Sequence, residues 1–320
     1  FLLSLRKNTP LKVRYLEKMG FSGGTILGYF FENQFASLGQ SGRLIGFFIA
    51  LLYFSFLNSE KFGGQTFGKI FMKIQVVGQN GAPPKIMRTL CRSTVLIIPH
   101  FLNGLYFPAE FTYSRFSWLP SVVLFGLGGG LVYFYLFNRK TRQSLHDIIC
   151  GTYVVKNFIP TEFKHLHLSK KHYVVFFCYV FILLVAPFFL KNSNFLDEDP
   201  YKLRFVYNEL RAFPNTEATS VVAGKSFLVT TKTKREAHYF NVVMQFYPYP
   251  KNLKGLSTHI ASSIFENYPE IFKKDIMTIT IKYGYDIGIF SKLNTYASQK
   301  TPLEWKSFVE ASTAKLNPSF

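Results

Sequence analysis

A chain of 320 residues with 37 Lys/Arg against 18 Asp/Glu carries a net charge of +19, and 48% of it is hydrophobic and 18% aromatic. A mean hydropathy of +0.12 is apolar for a soluble protein and mild for one lying wholly in lipid, which fits a membrane half joined to a soluble half. The charge argues against nucleic acid as a partner once its distribution is read. Residues 1–190 hold 20 Lys/Arg and 6 Asp/Glu, whereas residues 191–320 hold 17 and 12, so the excess falls between hydrophobic segments, where the positive-inside bias puts it.

Phe1–Leu5 is too short for an apolar signal core, so no cleavable signal peptide is expected. Arg6, Lys7, Lys12, Arg14 and Lys18 make the N-terminal stretch basic. A helix needs about 20 apolar residues to cross a bilayer core. Gly20–Phe31 is apolar but glycine-rich and stops at Glu32. Leu44–Leu57 is short and free of charge. Thr94–Phe111 is interrupted by Pro99, His100 and Asn103. Leu119–Phe137 is clean, with glycines in its middle, and Tyr173–Leu190 is the strongest of all. Gly126 and Gly130 form a small-xxx-small face that favours close helix packing, within the chain or between chains.

Loop charge sets the orientation. Asn58–Ser93 carries six Lys/Arg and one Glu, Asn138–His172 carries seven Lys/Arg with one Asp and one Glu, and Glu110–Trp118 carries one charge of each sign. The first two loops are expected in the cytoplasm and the third outside, which sends residues 195–320 outside. Four crossings would also put the basic N-terminus outside. A fifth segment over Gly20–Phe31, extended toward Leu38, removes that conflict.

Two polar stretches flank these segments. One is Gly63-Gly64-Gln65-Thr66-Phe67-Gly68-Lys69; the other is Arg139-Lys140-Thr141-Arg142-Gln143-Ser144-Leu145-His146-Asp147. With Arg43, Arg88 or Arg92, and Gly151–Val155, they resemble the RDD family of polytopic membrane proteins over about Arg14–Val155. The resemblance implies family-motif roles for Arg43, Gly64, Gln65, Thr66, Gly68, Lys69, Arg92, Arg139 and Arg142, and cation/proton exchange is suggested for some relatives. One departure stands out: the acid the family carries in its first helix is absent from both Phe48–Ala50 and Gly20-Phe21. A cation-handling role that needs that acid is therefore in question.

The residue types have their own chemistry. The glycines let the backbone turn tightly where it leaves the bilayer. Thr66 can cap a following helix. Lys69 and Lys73, four apart, are placed to meet lipid phosphates from one helix face. A phosphate-cradling loop is the sharper reading, but the second half of a Walker pattern is missing. Asp147 has two readings. It pairs with a neighbouring arginine, Arg139 or Arg142, and fixes the loop; or it raises the pKa of His146 and the two relay protons. His100, beside Pro99 in an apolar segment, is the other candidate for an ion or proton relay. It can equally hydrogen-bond the carbonyl that Pro99 frees, or Asn103. Three cysteines without a C-x-x-C spacing argue against a structural zinc or a disulfide framework.

After Asp197-Glu198-Asp199-Pro200, read as a linker and helix start, the pattern turns soluble. Leu203, Val206, Tyr207 and Leu210 have helical spacing over Tyr201–Phe213. Ala218–Thr231 and His238–Tyr247 read as strands, the second with Phe240, Val242, Met244 and Phe246 on one face. Leu256–Tyr268 is an amphipathic helix, and Ile276–Tyr283 a strand with Met277, Ile279, Ile281 and Tyr283 on one face. Ile289–Tyr296 reads as a further strand after a turn at Gly284–Gly288. Thr301-Pro302-Leu303-Glu304 is a capping box. The order α-β-β-α-β-β-α gives an α+β domain with an antiparallel sheet, and no catalytic constellation is evident in it.

The expectation is thus a polytopic α-helical membrane domain over 1–192, with four to five membrane segments, followed by an extracytoplasmic α+β domain over 193–320. The protein is expected in a bacterial-type inner membrane as a non-enzymatic anchor or scaffold, with a cation/proton antiporter using His100, His146 and Asp147 as the alternative. The expected partners are the lipid bilayer, further copies of the chain and an extracytoplasmic protein; no nucleic acid, cofactor or metal is expected.

Overall fold

The computed structural model describes residues 31–156, 168–192, 200–229 and 234–316. Contacts divide the chain into two units. One holds Gln40–Ser193 and Asp286–Phe290; the other holds the described residues of 1–39, 194–285 and 291–320. Helix α1 (Glu32–Ser37) therefore counts with the second unit. The fifth expected membrane segment, Gly20–Phe31, lies outside the described residues apart from Phe31, and its extension toward Leu38 is the six-residue α1.

The first unit runs α2 (Ser41–Leu57), α3 (Phe67–Phe71), β1 (Ile74–Gly78), α4 (Ile86–Leu102), α5 (Ala109–Thr112), α6 (Leu119–Phe137), α7 (Leu145–Cys150), β2 (Thr152–Lys156) and α8 (Lys170–Asn192). Two of these are long and apolar enough to cross a membrane: Leu119–Phe137, of mean hydropathy 1.7, and Lys170–Phe189, of mean hydropathy 2.2. Only 17% and 0% of these stretches is buried, so they present their apolar side chains outward, unlike the core helices of a soluble domain. Phe177, Phe181 and Phe188 on α8 are all exposed. α2 is a shorter apolar helix.

The segment expected over Thr94–Phe111 is displaced. α4 begins at Ile86 and ends at Leu102, and α5 is separate. Hydropathy stops a segment short of a charge, yet Arg92 is 4% exposed and paired, so the helix carries it. Ala50, Ile97 and Phe101, with Phe47, Leu51, Phe54 and Leu96 around them, pack α2 on α4. Gly130 lets α6 approach α8, because a Cβ there would stand 2.6 Å from Phe176 and 2.7 Å from Leu145. The glycine face of α6 is thus used within the chain at that point. β1 and β2 pair antiparallel from Ile74↔Lys156 to Gly78↔Thr152. This ribbon brings the segment after α2 against the segment after α6.

The second unit contains α9 (Pro200–Arg211), β3 (Thr216–Val229), β4 (Lys234–Phe246), α10 (Leu253–Asn267), β5 (Ile276–Asp286), β6 (Ser291–Lys300) and α11 (Pro302–Leu316), in the expected order. Leu203, Val206, Tyr207 and Leu210 are all buried, as are Phe240, Val242, Met244 and Phe246. The sheet order is β3-β4-β5-β6. It is not wholly antiparallel: β3 and β4 are antiparallel, but β4 and β5 pair parallel, from Tyr239↔Ile276 to Phe246↔Tyr283. The reason is α10, which carries the chain back so that β5 runs in the same direction as β4. The short link after β5 then returns β6 antiparallel. Thr301 and Glu304 form the reciprocal capping box, with Glu304 N donating to Thr301 Oγ1 at 3.2 Å and Thr301 N to Glu304 Oε2 at 2.9 Å. Asp197–Asp199 and the end of the strand expected at Thr231 lie outside the described residues.

Candidate functional site

The ribbon organises a buried polar cluster. β2 follows α7 directly through Gly151, and α7 is the short helix that carries His146 and Asp147. Arg92 reaches them from the first half of α4. Its Nε donates to Asp147 Oδ1 at 2.8 Å, and Thr152 Oγ1 donates to the same oxygen at 2.7 Å. His146 Nε2 stands 3.3 Å from Asp147 Oδ2. The Arg92 and Asp147 side chains are only 5% and 6% exposed, so this is an ion pair removed from water.

A second arm comes from the segment after α2. Lys69 on α3 donates from Nζ to Asn58 Oδ1, and Asn58 Nδ2 donates to Phe54 O at 2.6 Å. Gln65 Nε2 donates to Ile74 O at 2.8 Å, fastening the turn to β1. From the other side, Gln143 Nε2 donates to Thr152 O at 2.8 Å and Ser144 Oγ to Leu131 O at 3.0 Å. A helix end, a glycine turn, a basic helix and a His-Asp helix thus converge beside one two-stranded ribbon.

Residues 19–151 match the RDD family. No family matches the stretch beyond Gly151, and neither the curated proteins nor the solved structures gave a match.

Within this matched segment the motif residues have unequal tasks. Gly64 has φ +74°, and a Cβ there would lie 2.3 Å from Val76 O, so the turn presses against β1 where only glycine fits. Gly68 meets nothing within 4 Å, and no contact accounts for it. Thr66 stands at the N-cap of α3, but its side chain makes no capping bond. Lys69 is turned inward to Asn58 instead of facing lipid phosphate, and Lys73 lies past the end of α3 with φ +55°. Arg139 and Arg142 are exposed and stay out of the cluster. The partner of Asp147 is therefore Arg92, 55 residues away, and not one of the adjacent arginines.

The expected relay is not assembled. His146 and Asp147 are together, but His100 sits near the C-terminal end of α4, about 12 Å along the helix from Arg92. Its Nε2 is 2.7 Å from Gly288 O, a partner other than the Pro99-freed carbonyl or Asn103. Arg43, at the first turn of α2, bonds Asp286 Oδ2 from Nε at 3.0 Å and from Nη2 at 2.8 Å, within the same unit. Arg43 thus takes its counter-charge from far along the chain.

Electrostatics assigns the protons. Burial alone would raise the Asp147 carboxyl, but the Arg92 guanidinium, His146 and the bonds from Arg92 and Thr152 outweigh it and hold the pKa below the usual carboxylate range. His146 goes the opposite way from expectation. Burial lowers it to about 4 despite Asp147, with Arg92 and Lys69 adding to the depression. A neutral His146 with its proton on Nε2 directs it toward Asp147 and leaves Nδ1 as an acceptor. Burial, then Arg92, lowers the Lys69 amine to about 8, with Asp147 partly opposing. Near pH 7 the cluster therefore holds two cations, one anion and a neutral imidazole. Sequence reasoning missed Asn58, Thr152 and Gln143. Thr152 had a visible signal, a hydroxyl residue five positions after Asp147 at the start of a strand. Among the described residues, no group of three or more His, Cys, Asp or Glu is placed to hold a metal.

Proposed function

We propose that this chain is a multi-pass membrane protein of the RDD type whose polar cluster locks its helices, making it a non-enzymatic anchor for the α+β unit outside the cytoplasm. The observation that carries this reading is the engagement of Asp147 by partners from within the chain. Its Oδ1 accepts from both Arg92 and Thr152, and its Oδ2 faces His146, so three of the carboxylate's four acceptor sites are engaged and its charge is already balanced by a buried guanidinium, which disfavours binding and releasing a cation. In the proposed topology α2, α4, α6 and α8 cross a bacterial-type inner membrane. Pairing of β1 with β2 supports it, because the segments after α2 and α6 must then lie on one face, separated by an even number of crossings. Their basic character makes that face cytoplasmic.

Lys251, exposed in the second unit, offers the orientation test. Lys251→Cys is expected to react with an impermeant thiol reagent on intact cells, and Asn80→Cys only after the membrane is opened. The opposite pattern would reverse the orientation.

A second reading, cation/proton exchange, is favoured by Lys69, a buried amine lowered to about 8 beside an ion pair. In reconstituted proteoliposomes the anchor reading predicts no proton flux driven by sodium, potassium or lithium above empty vesicles. Robust flux that disappears in Lys69→Met would replace it with the transporter.

A further inference from the structure

The first half of α2, the end of α4 and the start of α6 surround an apolar cavity of about 410 Å³. Leu44 and Phe47 line it from α2, Ile98 and Leu102 from α4, and Leu119 and Val123 from α6. Its charged lining residue is Arg43, whose guanidinium is committed elsewhere. Nε and Nη2 donate to Asp286 Oδ2, and Nη1 donates to Phe101 O and Asn103 O. The cavity therefore offers an occupant hydrocarbon walls and no unpaired charge. A polar ligand placed there gives up its hydrogen bonds to water and gains little in return. The open side is apolar as well. Val123 is exposed and lies on Leu119–Phe137, the stretch long and apolar enough to cross a membrane. Leu44, Phe48 and Leu52, four apart and all exposed, continue the apolar surface from the cavity for about 12 Å along one face of α2.

We propose that this cavity is a binding site for one acyl chain of a bilayer phospholipid, held tightly enough to survive extraction into detergent. The inference rests on the multi-pass reading, which puts lipid hydrocarbon at the open side of the cavity. Its volume falls in the range of about 300–1,000 Å³ usual for ligand pockets. The lining selects the source of the chain. A free fatty acid brings a carboxylate that needs a cation, and Arg43 already serves Asp286. A phospholipid leaves its charged headgroup at the membrane surface and presents only the chain. The helix ends around the cavity suit this, because they set it near one surface of the bilayer, where a chain leaves its headgroup.

The test uses the whole protein, stripped of lipid in detergent and offered dioleoyl phosphatidylglycerol or oleate, with bound molecules counted by native mass spectrometry. One phospholipid per chain is expected, and oleate should not displace it. Val123→Phe and Ile98→Trp fill the cavity from two different helices, and each should weaken phospholipid binding by about tenfold or more. Val123 is exposed, so its substitution spares the fold even where Ile98→Trp does not, and thermal unfolding checks both. Phe125→Trp adds bulk to the exposed side of α6 outside the cavity and should bind as the wild type does. No phospholipid on the wild type, equal binding by all four proteins, or oleate bound in its place would overturn the site. Alkaline carbonate extraction separates this result from the reading beneath it. A chain that carbonate strips from membranes overturns the multi-pass reading and the site together. A chain that stays in the membrane and binds no phospholipid overturns the site alone.

Discussion

Asp147→Ala is expected to destabilise the solubilised protein by about 3–5 kcal/mol, because it leaves the Arg92 guanidinium buried without its counter-charge. The pair as a whole contributes much less than that, since burying two charges carries its own desolvation cost. Asp147→Leu combined with Arg92→Met should therefore recover most of the loss, and detergent unfolding of the four corners of the cycle measures the difference. A single variant costing under about 1 kcal/mol would mean that water reaches the pair. Acid should mimic the substitution in two stages. His146 has a folded pKa of about 4 against an ordinary 6.5, so between those values the unfolded chain takes up a proton that the folded chain refuses, and stability falls. The Asp147 contribution is present above the ordinary carboxylate pKa of 3.8 and is lost as pH drops through its lower folded value. His146→Gln should flatten the first stage and leave the second. Lys69 adds a limb of the same sign at high pH, where stability rises between about 8 and 10.5 as its burial ceases to oppose a charge.

Two glycines of one motif should part company. Gly64→Ala forces a Cβ to within 2.3 Å of Val76 O at φ +74°. The left-handed backbone costs about 1–2 kcal/mol for an L-residue, and the overpacking adds about 1–3 kcal/mol. Because the atom in the way is backbone, relief has to come from shifting β1, and the ribbon weakens with it. Gly68→Ala places its methyl in open space on α3, where alanine is the better helix former, and should be neutral or stabilising by about 0.5–1 kcal/mol. Thermal unfolding of the two variants side by side decides the matter. Equal losses would show that the turn responds to any side chain and not to the contact with Val76.

Much of this architecture could be read from local pattern. Alternation put Phe240, Val242, Met244 and Phe246 on one face, and all four are buried. Thr301 and Glu304 cap a helix because both partners lie within one turn. Of the motif residues, Arg92, His146 and Asp147 stand together, with Lys69 close enough to feel their charges. What failed was partner choice. Arg139 and Arg142 are close to Asp147 along the chain, but burial selects the arginine that a packed helix delivers, and α4 delivers Arg92. The same burial reversed the expected shift at His146, because desolvation outweighs the adjacent carboxylate. The α10 start was placed too late because Asn252, whose side chain accepts from Gly255 N at 2.8 Å, went unread as a cap. The parallel pairing of β4 with β5 depends on where a crossover helix lands, which strand periodicity does not encode.

The β1–β2 ribbon also orders the birth of the fold. β1 leaves the ribosome before α4 and α6, and β2, its strand partner among the described residues, follows both. Arg92 is therefore made before Asp147, and its counter-charge arrives only with α7. Pairing of the two strands is the closing event, joining the start and end of a helical hairpin that has already been laid down. A nascent chain stopped short of β2 would hold its helices without the clasp that fixes them.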